Sequence, residues 1–435
     1  MDTVKVYLNE LGTEPSSETI LRLLSLNPEQ NPWILRLNLA DLVTDEQISG
    51  AVSTFNDEWL AFNELVISFV KFANQLDPWS ILKSFDMYTT FLNDLSIAFN
   101  NSNRGSMLSQ LVINTVNIVL PWALKLDYQL FYQEFCTRPR LTYLASILLK
   151  IFNNIRSQIN DPNQKDKKSI ILFTSNKLCF VYFKLSNPLL CRNVFSNMNN
   201  ANLQFKSFKL IEQVQYRYFL GKYYLIKDQL NDSLANFLWC LEQCPLASQS
   251  NAMKILENLL PVSLVLGKNP NFNYISQTFP LSNQAEFVKI YHQLHTQIKS
   301  GNIEQYFEVV NQHQQYLKQR NVLLMLSNKS KILLLRNLVK KIWIIRGRPS
   351  SLDYDDIIAG LRVSGGTHIK QFINEIDDFI IENIFISLID ENLLRGKIFP
   401  RLRKIALSKT NTFNKVDEIY YTRFSYHHSD QWMNQ

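Results

Sequence analysis

Apolar side chains recur at three- and four-residue spacing along most of this chain, the mark of helices with one buried face. Residues 1–43 read as short helical pieces broken at Pro15, Pro28 and Pro32. From Asp45 to Gln75 the positions Ile48, Val52, Phe55, Trp59, Phe62, Leu65, Phe69 and Phe72 form one helical stripe. Asp77-Pro78-Trp79 interrupts it, with Asp77 suited to cap the next helix and Pro78 to its first position. That helix carries Ile81, Phe85, Tyr88, Phe91, Leu92, Leu95 and Phe99. Further helices are expected over 106–119, 121–135, 139–157, 170–185, 248–265, 282–299, 301–313 and 329–346, with a short one opening at Pro188. Asn160–Lys168 reads as a polar surface loop, and Asn269–Ser282, with Pro270 and Pro280, as another.

The C-terminal stretch Ile376–Lys409 changes character within a few residues. Ile380, Ile381, Ile384, Phe385, Leu388 and Ile389 make a helix face, and Asp377 and Asp378 stand at its start, where carboxylates meet unsatisfied N–H groups. The helix ends at Asn392-Leu393-Leu394. A strand over Arg395–Phe399, Pro400, and a second strand over Leu402–Ser408 follow. A helix followed by a small hairpin reads as the last half of a winged helix. Leu352–Val363 reads as a short helix before it, and Ser364-Gly365-Gly366-Thr367 as the most flexible spot in the chain.

Between Val214 and Pro245 the spacing resembles a tetratricopeptide repeat. Leu220, Gly221, Tyr224, Phe237, Cys240 and Pro245 fall at the repeat's offsets, with Ser233 where a small Ala is usual and Arg217 at the early Trp position. One repeat cannot bury its own face, so neighbouring helices must stack on it. The expected fold is mostly α: a TPR-like helical-repeat superhelix ending in a C-terminal winged helix. Its expected parts are N-terminal helical repeats (1–205), a helical subdomain with the TPR-like hairpin (206–346), a winged-helix subdomain (347–410) and a tail (411–435).

Composition agrees with long helices. The 435 residues hold 11 Gly, against roughly 30 at an average of ~7%, so tight turns are few. An apolar share of 46% excludes global disorder. Five cysteines, at 136, 179, 191, 240 and 244, lie scattered among apolar residues, as buried free thiols in a reducing compartment would. No secretory signal is read in the first thirty residues, which carry five carboxylates. The longest uncharged run, Gly105–Leu124, has the length of a membrane span, but its Ser106, Ser109, Gln110, Asn114, Asn117 and Pro121 favour a buried amphipathic helix, without membrane insertion.

No phosphate loop, dinucleotide fingerprint, nucleophile elbow or HExxH metal motif is present, so catalysis has no residue set to stand on and no cofactor is implied. His292 and His295 form an HxxH pair without further ligands near them, and Cys240-x3-Cys244 lacks a partner pair, so packing explains both better than metal. The net charge is +7, and Lys329–Thr410 alone holds 15 Lys and Arg against 9 Asp and Glu, a local net of +6. A local basic surface points to an acidic partner, nucleic acid or protein. The candidate phosphate contacts are Lys329, Lys331, Arg336, Lys340, Lys341, Arg346 and Arg348 on or just after one helix, and Arg395, Lys397, Arg401, Arg403 and Lys404 on the wing. Residues 376–391 carry five carboxylates and no Lys or Arg, so that helix is repelled from a duplex groove. Contact through the wing and the preceding basic helix would tolerate any sequence. The apolar set Phe385, Leu388, Leu393, Leu394, Ile398 and Phe399 is the candidate protein interface.

Helical repeats that run into a C-terminal winged helix are the plan of the PCI domain. ANQLDPWS (73–80), QVQYRYFLGKYYLIKDQLNDSLANF (213–237), ILENLLPVSLVLGK (255–268) and IFISLIDENLLRGKIFPRLRKIALSKT (384–410) resemble the PCI-domain subunit of the TREX-2 nuclear mRNA-export complex, and the likeness runs from about residue 70 onward. The resemblance implies a non-enzymatic scaffold in the nucleus, at the nuclear face of the pore. It implies pairing with the large PCI scaffold subunit of TREX-2, a small, acidic, disordered DSS-type subunit, and RNA or DNA bound without strong sequence preference. The rival is another PCI scaffold, signalosome-associated or proteasome-lid-like, acting only in protein–protein assembly.

Overall fold

The computed structural model describes residues 2–40, 44–52, 59–77, 79–135, 137–159, 165–201, 203–372, 377–424 and 431–434. Expectations for 53–58, Pro78, Cys136, 160–164 and Ile376 lie outside the described residues. The chain divides into two compact units, Met1–Tyr216 with Asp430–Gln435, and Arg217–Ser429.

In the first unit the long helices Leu60–Gln75, Ile81–Ala98, Ser109–Gln129 and Pro139–Ser157 each pack on the next, and Ile171–Lys184 packs on Pro139–Ser157. Tyr7, Trp33, Phe69 and Phe91 form a linked aromatic cluster, with Tyr7 and Phe69 stacked at 5.6 Å. Two expected breaks differ. Pro121 does not end a helix: Ser109–Gln129 runs through it, after a 3-10 turn at Gly105–Leu108. The next helix after Asp77 is capped by Ser80, whose hydroxyl accepts from the Lys83 N–H, while Asp77 accepts from the Trp79 N–H one turn earlier. A short helix over Lys165–Ser169 stands where a polar loop was expected. Its Lys167 is buried, donating to the Asn101 carbonyl at 2.8 Å and the Gln158 amide oxygen at 2.7 Å.

Gly105–Gln129 is, among the described residues, the one helical stretch long and apolar enough to cross a membrane by length and composition. Half of its most apolar window is buried within the unit, and it holds Asp127, which accepts from the Arg140 guanidinium and the Leu141 N–H. Trp432 packs edge-on against Phe205 and Tyr216 at 5.1 and 5.5 Å.

The second unit opens on the repeat-like hairpin. A Cβ at Gly221 would sit 2.9 Å from the Phe237 ring, and Ser233 donates to the Gly221 carbonyl at 2.9 Å. Small residues therefore bring the two helices together, as the repeat spacing predicts. Helices Gln249–Leu266, Glu286–Ser300 and Ile303–Gln312 extend the array. Asn269–Ser282 is more ordered than its prolines suggest: Asn271 caps a helix over Phe272–Thr278, and a 3-10 turn follows.

The array passes into helix Lys331–Ile345, strand β1 (Ser351–Asp353), helix Tyr354–Phe372, helix Asp378–Asp390, strand β2 (Gly396–Phe399) and strand β3 (Lys404–Leu407). The sheet is antiparallel in the order β1-β3-β2, with Ile405 opposite both Leu352 and Ile398. This is a complete winged helix, and Lys331–Ile345 serves as its first helix, packing on both of the others. Asp377 caps Asp378–Asp390 by accepting from the Ile380 N–H at 3.0 Å. The expected flexible spot is pinned. Tyr354–Phe372 is two helical segments that meet at a kink at Gly366 (φ 45°, ψ −126°). Ser364 just before it donates to the Gly301 carbonyl at 2.6 Å and accepts from the Ile303 N–H. Helix Val416–Arg423, in the stretch read as a tail, packs on Gln249–Leu266.

Candidate nucleic-acid and partner interface

Helix Lys331–Ile345 forms because Leu333, Leu334, Leu338, Val339 and Ile342 give it one continuous buried face. Its cations are therefore forced to the remaining surface, with one exception. Arg336 is 6% exposed; it donates to the Asn414 carbonyl at 2.6 Å and to Asn337 at 2.8 Å. Burial, with Arg423 nearby, pulls its guanidinium down to about 10. Its place as an open phosphate contact is corrected: it is a structural arginine whose edge lines a hollow. Lys329 belongs to the preceding helix, Leu323–Lys329, where it pairs with Asp228 and lies over the Phe424 ring at 5.1 Å.

The remaining candidates fall into two groups. Arg346 pairs with Asp356, and Lys404 with Asp353 at 3.3 Å. Arg403 bridges Asp355 at 3.0 Å and Asp378 at 2.9 Å, and the hydrogen bond to Asp378 raises its pKa. These three have carboxylate partners inside the unit. Lys331, Lys341, Arg348, Arg395, Lys397 and Arg401 are exposed, Lys340 is half-buried, and among the described residues none of the seven has an ion pair. Lys331 lies over Phe307 at 5.9 Å and Arg348 over Trp343 at 5.8 Å. Burial, and Arg336 next, lower the Lys340 pKa.

Four of the six expected interface residues are also corrected. Phe385 and Leu388 pack the winged-helix core from Asp378–Asp390, and Leu393 and Leu394 close it below; all four are at most 1% exposed. An amphipathic pattern cannot say which of its apolar positions the chain itself covers. Ile398 is half-buried and Phe399 exposed, both on β2, whose outer edge carries no neighbouring strand among the described residues. The apolar surface that pattern reading missed is on the same acidic helix: Phe379 is 73% exposed and Ile386 47%. A groove of about 380 Å³ beside it is lined by Ile332, Leu335, Ile380 and Ile384.

Three more cations were invisible to a search along the chain. Lys268, Lys299 and Lys415 come from separate elements to the hollow that Arg336, Lys340 and Lys341 also line. Of the residues considered for metal, His295 accepts or donates one hydrogen bond with Asn269 and both His292 and His295 lie against Phe272, which is packing geometry. Cys179, Cys191, Cys240 and Cys244 are buried free thiols, and burial pushes Cys240 up to about 12.

No family model matches the chain. Curated relatives do. The chain is 29% identical to the nuclear mRNA export protein THP1 of Saccharomyces cerevisiae, over 96% of each protein. It is 22% identical to a PCI domain-containing protein of Schizosaccharomyces pombe, over 95% of this chain and 93% of the relative. It is 25% identical to PCI domain-containing protein 2 of Xenopus laevis, over 63% of this chain and 64% of that one. Over nearly its whole length the chain is thus similar to a nuclear mRNA export protein and to a PCI domain-containing protein, and its helical array closed by a winged helix is the fold expected of a PCI domain.

Proposed function

We propose that the chain is a non-enzymatic scaffold subunit of the TREX-2 transcription-coupled mRNA-export complex, working at the nuclear face of the pore. In this reading its winged helix pairs with that of the large PCI subunit, and the joined surface holds RNA or DNA without strong sequence preference. The observation that carries the reading is the split among the basic residues. Seven candidate cations on or beside the first helix and the wing lack carboxylate partners among the described residues, which is what a surface kept for phosphates requires. The open edge of β2, with Ile398 and Phe399, suits edge-to-edge addition of a partner strand. A small acidic DSS-type subunit suits a basic helical surface, because wrapping spreads its ordering cost over many contacts.

The test is a pull-down from nuclear extract together with filter binding of single-stranded RNA across a salt series. The large PCI subunit should co-purify, and reversing Lys340 and Lys341 to Glu should flatten the salt slope. Co-purification with an unchanged slope would leave a scaffold without a nucleic-acid role. A signalosome or proteasome-lid partner in place of the large export subunit would sink the assignment to TREX-2. One observation favours that second, protein-only reading: Arg346, Arg403 and Lys404 already spend their charge on carboxylates of the winged helix itself.

A further inference from the structure

A hollow of about 520 Å³ lies within the second unit, where four chain segments meet. Lys268 enters from just past the C-terminus of Gln249–Leu266, Lys299 from the last turn of Glu286–Ser300, Arg336, Lys340 and Lys341 from Lys331–Ile345, and Lys415 from the segment leading into Val416–Arg423. One carboxylate, Asp417, lines the hollow, and Glu418 pairs with Lys415 at 2.9 Å. Six cations against these two acids leave a net of +4 in a space the size of a small-molecule site, ~300–1,000 Å³.

Apart from Lys415, which pairs with Glu418, the cations of the hollow have no carboxylate ion pair among the described residues. Lys268 donates to the backbone carbonyl of Asp417 at 3.2 Å and lies 3.9 Å over the Tyr420 ring, which orients its ammonium without neutralising it. The buried Nε of Arg336 has no hydrogen-bond partner among the described residues. Among the described residues Lys299, Lys340 and Lys341 have no ion pair. Neighbouring like charge adds to burial in lowering the pKa of Lys340, the direction expected where positive charge is crowded. Lysines near helix C-termini often serve the helix dipole; that role covers Lys268 and Lys299 but not Lys340, Lys341 and Lys415, which do not end the helices they flank.

We propose that this hollow is a binding site for a compact polyanion carrying several phosphomonoesters, a polyphosphorylated small molecule. Charge density decides between this ligand and a nucleic-acid strand. A phosphomonoester carries about −1.5 to −2 at neutral pH, so two or three of them balance the site within its volume. A strand carries one charge per phosphate, and matching the site would mean threading four or more consecutive phosphates into about 520 Å³. Asn269, His295 and Asn337 also line the hollow as neutral polar groups, tied to one another or to the surrounding chain. The site shares Lys340 and Lys341 with the proposed nucleic-acid surface and adds Lys268, Lys299 and Lys415, which that surface does not use, so the Lys299 and wing variants tell the two apart.

The test is calorimetric titration of the full chain with inositol hexakisphosphate and, separately, with inorganic tripolyphosphate, at about 0.15 M ionic strength. One saturable site is expected. Binding of both probes at similar strength assigns recognition to phosphate charge alone, and preference for the inositol compound assigns part of it to the spacing of phosphates around a ring; either supports the site. Lys299→Glu with Lys341→Glu should weaken binding by about tenfold per cation or more, while the wing variant Lys397→Glu with Arg401→Glu should bind as the parent does. Both lysines are exposed, so the fold should survive; the milder pair Lys299→Gln with Lys341→Gln, checked by thermal midpoint, guards against loss of structure. No saturable binding, equal weakening by pocket and wing variants, or displacement of the probe by a single-stranded oligouridylate at equal phosphate concentration would each overturn the proposal.

Discussion

Arg403 on the wing grips Asp378 at the start of the acidic helix with two parallel hydrogen bonds, Nε to Oδ2 and Nη2 to Oδ1, each 2.9 Å. The fork is the geometry in which an arginine and a carboxylate fit best. Arg403 itself adopts a positive φ of 50°, so the turn between β2 and β3 is bent to deliver it. The wing is thus tied to the helix it follows, and one of the candidate phosphate contacts is part of the tie.

Arg403→Glu should therefore loosen the wing before it says anything about nucleic acid. Amide exchange in β2 and β3 is expected to speed up in Arg403→Glu and in Asp378→Arg, and to slow again when the two are combined. If the double variant exchanges as fast as the singles, the fork is not what holds the wing.

Gly221 and Phe237 define how closely the repeat-like hairpin closes. Adding a methyl at Gly221 gains helix propensity of roughly 1 kcal/mol but drives a Cβ to 2.9 Å from a ring that cannot retreat, since Phe237 is fully buried. Overpacking costs typically ~1–3 kcal/mol, so Gly221→Ala should be net destabilising by up to about 2 kcal/mol. Phe237→Leu in the same background should recover part of the loss. Chemical denaturation followed by tryptophan fluorescence reads both, and a Gly221→Ala protein more stable than the parent would contradict the packing.

Much of this was legible along the chain because helix periodicity, small-residue spacing and N-caps are local. The hairpin at Gly221 and Ser233 and the cap at Asp377 follow from a few neighbouring residues. What could not be read was which surfaces the chain uses on itself. Phe385 and Leu388 repeat as regularly as Ile386, yet the first two are core and the third is exposed. Arg336 sits in a run of basic residues, yet its tertiary partner is the carbonyl of Asn414, 78 positions away. The hollow shared by Lys268, Lys299 and Lys415 has no sequence signature at all, because three distant elements assemble it.

Gly365-Gly366 illustrates a different limit. Two adjacent glycines suggest a hinge, but only Gly366 departs from helix, and Ser364 ties the bend to Gly301 and Ile303. A side chain at φ 45° and ψ −126° is strained whatever space it finds. Gly366→Ala should cost about 1–3 kcal/mol, seen as a lower thermal midpoint, whereas Gly365→Ala should be close to neutral. A neutral Gly366→Ala would argue that the bend moves freely.

Burial of Cys240 sets a pH dependence. Its thiol is raised from 9.0 to about 12 because the thiolate would be desolvated. The folded state therefore prefers the protonated form more than the unfolded state does. Its contribution to stability is complete below pH 9 and is lost as pH rises from there toward 12. Thermal midpoints should decline across that window, and decline less in Cys240→Ala once its lower starting stability is allowed for. Native protein at pH 8 should also leave Cys240 unlabelled by a thiol reagent until denaturant is added. Prompt labelling of Cys240 in the native protein would refute its burial.

The division of the basic residues into paired and unpaired sets makes the sharpest prediction for the proposed nucleic-acid surface. Each phosphate contact removed should lower the salt slope of binding by roughly one. Lys341, Lys397 and Arg401 have no carboxylate partner among the described residues, so the three Gln variants should each show that drop while leaving the thermal midpoint in place. Arg346→Gln and Lys404→Gln should do the reverse, because Asp356 and Asp353 already take their charge. Their salt slope should stay near the parental one, and the winged helix should be slightly less stable. Filter binding of single-stranded RNA across a salt series, run beside a melting curve for each variant, separates the two sets. If the paired and unpaired cations lowered the slope alike, the ion pairs would have to open on binding. Partition by carboxylate partner would then fail as a guide to the surface.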